Sequence, residues 1–142
     1  MTGWVKVHLC GIIWAVCTIS GAQLVQAQDR THVVEIVADK DSRYKSPSGG
    51  KPEISLKAGE PVLLRVTARR GKSWSRDGSI HGFALLRAGD RSKVTDWNLL
   101  LRPGTQEFNL TAPVEPGEYV VVCTVICSEE HEGMNMRLVV VP

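Results

Sequence analysis

The sequence predicts an all-β Greek-key β-sandwich, a single domain placed after a short leader. β-branched and apolar residues alternate along short runs, as half-buried strands require. Turn residues fall between those runs, and no window of a dozen residues carries a 3.6-residue apolar stripe. Charged residues at 23% and hydrophobic ones at 43% make a globular composition and exclude a disordered chain. A net charge of +2 excludes the strongly basic surface of a general nucleic-acid binder.

The leader comes first. Lys6 is the only Lys, Arg, Asp or Glu before Asp29, and an apolar run at 9–19 follows it. A more polar stretch then ends at Val25-Gln26-Ala27. A positive start, an apolar middle and a small-residue exit are the layout of a secretory signal peptide cleaved after Ala27. The competing reading is an uncleaved membrane anchor. The run at 9–19 is far shorter than the roughly 20 residues a span requires, so no stable membrane span is predicted. Residues 1–27 are therefore read as the leader and 28–142 as one exported domain, placed in the periplasm or an equivalent extracytoplasmic space.

Within 28–142, residues 31–38 alternate and are rich in β-branched types, which predicts a strand. Residues 43–50 hold Pro47 and the pair Gly49-Gly50, a turn cluster. Short strands are predicted at 53–57 and 61–67, with a turn at 58–60. Further β-type runs lie at 80–86, 106–110, 119–124 and 136–141, with Pro103-Gly104 and Pro116-Gly117 as turns. Residues 91–101 follow neither period, and a helical turn fits there as well as irregular chain does. Seven short strands with turns between them read as a sandwich whose loops collect at its ends.

Export decides what the cysteines are for. Cys10 and Cys17 leave with the leader, so Cys123 and Cys127 remain in one short loop. Two cysteines four apart make no fold-wide disulfide framework. The same loop runs Cys123-Thr-Val-Ile-Cys127-Ser-Glu-Glu-His131-Glu-Gly-Met134 and so gathers two thiols, an imidazole and a thioether. Such donors favour copper or zinc over magnesium or calcium. No nucleophile–base pair, phosphate-binding glycine loop or paired-carboxylate site stands out, so no catalytic residue is assigned.

The spacing C-x3-C-x3-H-x2-M resembles the copper A loop of cytochrome c oxidase subunit II and of the nitrous oxide reductase cupredoxin domain. Asp77-Gly-Ser-Ile-His81-Gly-Phe83 resembles the upstream D-x3-H-x-F strand of the same family. The resemblance implies a cupredoxin-like sandwich and two copper ions. It implies Cys123 and Cys127 as bridging thiolates, His81 and His131 as one imidazole for each ion, Met134 as thioether and Val125 as backbone-carbonyl ligand. Two positions depart from the pattern: Val125 stands where the family usually has Glu, and Ser128 where it commonly has Gly. The implied function is single-electron transfer in a respiratory setting, with a c-type cytochrome or a terminal oxidase or reductase as redox partner. With no two-helix hairpin ahead of the sandwich, the expectation is a freestanding or loosely associated copper A domain.

Other readings of these residues stay open. Cys123 and Cys127 satisfy the spacing of a local disulfide, which makes the sandwich a metal-free interaction module. Zinc fits less well, because its shell is tetrahedral nitrogen and sulfur without a thioether. A mononuclear blue-copper site needs His81, Cys127, His131 and Met134 and leaves Cys123 over. A copper carrier that hands metal to an oxidase or reductase uses the full set. Glu129, Glu130 and Glu132 read as a solvated face or as a docking surface for a basic cytochrome. Arg65, Arg69, Arg70, Lys72 and Arg76 read as a basic patch near the loop before His81. His32 is assigned to solvent or a strand end, Met136 to the core, and Trp74 and Trp97 to the core or the site surface.

Overall fold

Alternating burial on these strands produces two sheets with one face turned inward. The computed structural model describes residues 30–72 and 75–142. The expected leader, with Lys6, Cys10, Cys17 and the Ala27 cleavage point, lies outside the described residues, as does Trp74. In His32–Ala38 (β1), Val34, Ile36 and Ala38 are buried while Val33 and Glu35 face solvent. The chain continues through Tyr44–Lys45 (β2), Ile54–Lys57 (β3), Pro61–Ala68 (β4) and His81–Arg87 (β5). Lys93–Leu101 (β6), Gly104–Thr111 (β7), Gly117–Val122 (β8) and Asn135–Val141 (β9) complete it, with a 3-10 helix at His131–Gly133.

One sheet has the order β2-β1-β4-β7 and the other β3-β9-β8-β5-β6. β1 and β4 pair in parallel, as do β3 and β9; the remaining pairs are antiparallel. Val62, Leu64 and Val66 of β4 meet Phe83 and Leu85 of β5, Trp97 of β6 and Met136, Leu138 and Val140 of β9 in one core. Each such side chain contributes roughly 1.5–3 kcal/mol through burial. Among the described residues, no helix is long and apolar enough to cross a membrane.

Two segments differ from expectation. Residues 91–101 hold no helical turn; Lys93–Leu101 form β6, the edge strand beside β5. Its burial is irregular, with only Trp97 and Leu101 fully inside, and its pairing shifts register opposite Ala84 and Leu86. A bulged edge strand erases the period-2 pattern from which strands are read. The turn cluster at 43–50 contains β2, two residues that pair antiparallel with the end of β1 at the sheet edge. Gly104, at φ 103°, takes the left-handed position of the Pro103-Gly104 turn.

Register positions the loop of soft donors. β5 and β8 run antiparallel with Ala84 opposite Val122. The start of β5, where His81 sits, therefore faces the chain as it leaves β8. β8 and β9 also pair antiparallel, so residues 123–134 form the connection at that same end.

Candidate metal centre

The loop is closed at its base by the Cys123 N–H, which donates to the Met134 carbonyl at 3.2 Å. Inside it the 3-10 turn is held by Gly133 N–H to Glu130 O at 2.9 Å and Met134 N–H to His131 O at 3.0 Å. Cys127 and Met134 are buried, and Cys123 is half-buried. Both cysteines are free thiols with sulfurs 3.7 Å apart, far longer than the roughly 2.05 Å of an S–S bond. The Cys123 thiol donates to the Val125 carbonyl at 3.1 Å, and the Cys127 sulfur lies 3.9 Å from Met134 Sδ. The Val125 carbonyl and the Met134 thioether thus converge on the cysteine pair.

His81 reaches the sulfurs from β5. One ligand atom each from His81, Cys123 and Cys127 lie within 4.8 Å of one another, close enough to hold a metal ion. The ring is fully buried, and its Nε2 donates to the Arg69 carbonyl at 3.0 Å. A carbonyl only accepts, so the proton sits on Nε2 and Nδ1 carries the lone pair. Among the described residues, Nδ1 is the buried side-chain nitrogen without a hydrogen-bond partner. Burial holds His81 below the usual imidazole range, which keeps it neutral at pH 7. This is the state, and the orientation by an outer hydrogen bond, that a metal-binding histidine needs. The donor set fits a soft or borderline metal.

His131 is placed differently. It lies in the 3-10 turn, outside the group of three, with Nδ1 3.1 Å from the Ser128 carbonyl. Nδ1 therefore bears that ring's proton in the neutral form and Nε2 its lone pair. Asp77 does not touch His81; its carboxylate accepts from the Ser79 N–H at 3.0 Å and the Ser79 hydroxyl at 2.6 Å, which shapes the turn before β5. Met136 is a core residue, and Trp97 is buried with Nε1 donating to Thr111 O at 2.8 Å. His32, the first residue of β1, bonds Glu60 at 2.9 Å. Arg65 does not belong to a patch near the loop: the parallel and antiparallel registers align Glu35, Arg65 and Glu107 in one row, and Arg65 bonds both carboxylates.

Several residues that hold the site are not among those the motifs single out. The Gly82 N–H donates to Cys123 Sγ at 3.3 Å, and the Tyr44 hydroxyl donates to the Gly82 carbonyl. Burial lifts the Tyr44 phenol well above its usual value, so it remains a donor. Burial likewise pushes the Cys123 thiol up to about 11. Ser42 lies 3.5 Å from Cys127 Sγ. A glycine inside a strand signals close backbone approach, and that signal was available at Gly82. A cleft of about 580 Å³ opens at this end, lined by Lys40, Asp41, Ser42, Lys72, Ile126 and the Ser128–Glu130 stretch.

No protein-family model matches the sequence, and no curated protein matches it. Solved structures do. A chain of a heme-copper terminal oxidase dimer solved by cryo-EM is similar at 19% identity and TM-score 0.51, covering 96% of this chain and 81% of its own. Auracyanin A, a blue copper protein from Chloroflexus aurantiacus, is similar at 20% identity and TM-score 0.57 over 79% of this chain and 100% of its own. Reduced rusticyanin is similar at 17% identity and TM-score 0.52, over 79% and 81%. Likeness at these identities speaks to architecture. Two mixed sheets packed around one closed core give this chain the cupredoxin-like fold.

Proposed function

We propose that the chain is an exported copper protein with a binuclear, copper A-like site that relays single electrons in a respiratory, cytochrome c oxidase-like setting. The observation that carries this reading is the His81 Nδ1, buried and unpartnered, converging on two free thiols. In the proposal Cys123 and Cys127 bridge two ions, and His81 and His131 supply one imidazole each. Met134 and the Val125 carbonyl complete the set. Copper so bound would take up and release one electron shared by both ions.

The chain's own part is preorganisation. Arg69 orients the His81 ring, the Gly82 N–H orients Cys123, and the Cys123–Met134 backbone bond holds the loop shut. Donors held by strand ends move little between redox states, which keeps the reorganisation barrier low. Cys123 favours two ions over one, because a mononuclear site needs a single thiolate and Cys123 also points into the cluster. The redox partner in this reading is a c-type cytochrome or a terminal oxidase or reductase, with Glu129, Glu130 and Glu132 steering a basic surface. Removal of residues 1–27 on export would leave Gln28 as the N-terminus, which mass spectrometry of the secreted chain reads directly.

Copper counting with electron paramagnetic resonance on the copper-loaded chain tests the site. Two coppers sharing one spin are expected; one localised copper would show a mononuclear blue site instead. Cys123→Ser should abolish the shared-spin spectrum, and an unaltered spectrum rules out bridging. One observation favours a second reading, a copper carrier: Cys123 is half-buried and Ile126, the residue before Cys127, is 72% exposed, so part of the loop faces solvent. Copper loss to a competing chelator decides between them, since a carrier releases it quickly and an electron relay retains it.

A further inference from the structure

Ser42 is out of place as an ordinary turn residue. It is 1% exposed and has φ 56°, a left-handed conformation that favours glycine or asparagine. The turn is closed without the Ser42 side chain: Ser42 N–H donates to Asp39 O at 3.1 Å, and Asp39 N–H to Arg43 O at 2.9 Å. The Ser42 hydroxyl is used elsewhere. It lies 3.5 Å from Cys127 Sγ and 2.7 Å from Ser128 Oγ, on a segment 85 residues away in sequence.

One bond in this set has a fixed direction. The Glu130 backbone N–H donates to Ser128 Oγ at 3.1 Å. Ser128 accepts there, and its own proton is free for Ser42. With that proton given to Ser42, the Ser42 proton is left for the Cys127 sulfur. We propose that this chain of donors, Glu130 N–H to Ser128 to Ser42 to Cys127, makes Ser42 a positioning residue for the metal-binding sulfur and a modulator of its charge. The inference deepens the copper reading and rests on it. Hydroxyls linked in series polarise one another, so the last proton is a better donor than an isolated serine.

The same turn braces the opposite wall. Arg69, whose carbonyl orients His81, donates its N–H to Ala38 O at 2.8 Å and sets its guanidinium 3.6 Å from Asp39. Asp39 is further held by Lys45 at 2.7 Å, whose bond keeps that carboxyl below the usual range. A side chain at Gly71 would come within 2.9 Å of the Lys40 carbonyl, so the segment after Arg69 presses against the turn. One turn therefore touches both the imidazole and the thiol side. Ser128 occupies the position where the copper A pattern commonly has Gly, which cannot supply the middle hydroxyl. The relay belongs to this sequence.

A proton donated to a metal-bound thiolate draws charge from sulfur and favours the reduced metal. Removing it should lower the reduction potential and speed copper loss, by about tenfold if it behaves like other outer-shell partners. The test uses the full chain loaded with copper, in Ser42→Gly, Ser128→Ala and the double variant. Glycine accepts φ 56° without strain, so thermal stability should not fall in Ser42→Gly. Both single variants should lower the potential and shift the sulfur-to-copper absorption, Ser42→Gly the more. The double variant should match Ser42→Gly, because the chain ends at Ser42. A wild-type potential and spectrum in copper-loaded Ser42→Gly would overturn the inference, as would additive effects in the double variant. Should the wild type take up no copper, the copper reading fails by itself. Hydrogen exchange over residues 126–131 of the metal-free chain then judges the relay: faster exchange in both single variants upholds it, and unchanged exchange refutes it.

Discussion

β4 and β5 are both interior strands, each paired on two sides, yet they are buried in opposite ways. β4 alternates strictly: Val62, Leu64, Val66 and Ala68 enter the core while Arg65 stands outside between Glu35 and Glu107. β5 is buried at every position from His81 to Leu86. Phe83 and Leu85 join the core, but Gly82 turns towards Thr124, where an added Cβ would meet Oγ1 at 2.1 Å and the backbone N at 2.5 Å. β4 has an inner face that stabilises and an outer face free to vary. β5 has no free face, because its second side is where the chain leaving β8 approaches and delivers Cys123. The site is built where a strand has given up its solvent side.

The sharpest way to break this comparison is Gly82→Ala. The clash is with backbone, so Thr124 and the adjoining Cys123 must move. We expect copper uptake to be lost, with destabilisation of about 3 kcal/mol in urea unfolding. Leu64→Ala should cost a similar amount, about 2–5 kcal/mol, because it hollows the core. Its copper content per folded chain should nevertheless equal that of the wild type. Equal copper loss in both variants would show that β4 and β5 do not divide these tasks.

Smaller effects sharpen the contrast. Tyr44→Phe leaves the buried Gly82 carbonyl without its donor and should cost about 1–3 kcal/mol. It should also shift the spectrum of the copper-loaded chain, since Gly82 holds Cys123 by its own N–H. Arg65→Ala removes two exposed ion pairs on β4 and should cost about 1 kcal/mol or less, fading as salt is raised. Its copper spectrum should be unchanged; a changed one would mean that the outer face of β4 communicates with the site.

Legibility followed the same division. β1, β4 and β9 were readable because one face of each is wet, which writes a period of two into the sequence. β6 was not, since an edge strand with a bulge has no constant inner face. In the site, Cys123, Val125, Cys127, His131 and Met134 lie on one loop, and their spacing was visible before any fold was known. The resemblance singled out His81, which lies beside the thiols, and gave Asp77 a prominence that its own turn with Ser79 explains. Ser42 and Tyr44 left no trace, because a lone serine or tyrosine in a turn cluster is ordinary composition.

What the amino-acid order determined by itself was the regularly alternating strands, most turn positions and the loop of soft donors, all of which depend on neighbours a few residues apart. What only the tertiary structure decided was which ring nitrogen of His81 is free, which carbonyl accepts from the other, and which hydroxyl meets Cys127. Those choices belong to backbone groups and short polar side chains from distant segments. Sheet register brings them within 3–4 Å of the sulfurs and the imidazole, and hydrogen bonding at that range has no signature in a linear pattern.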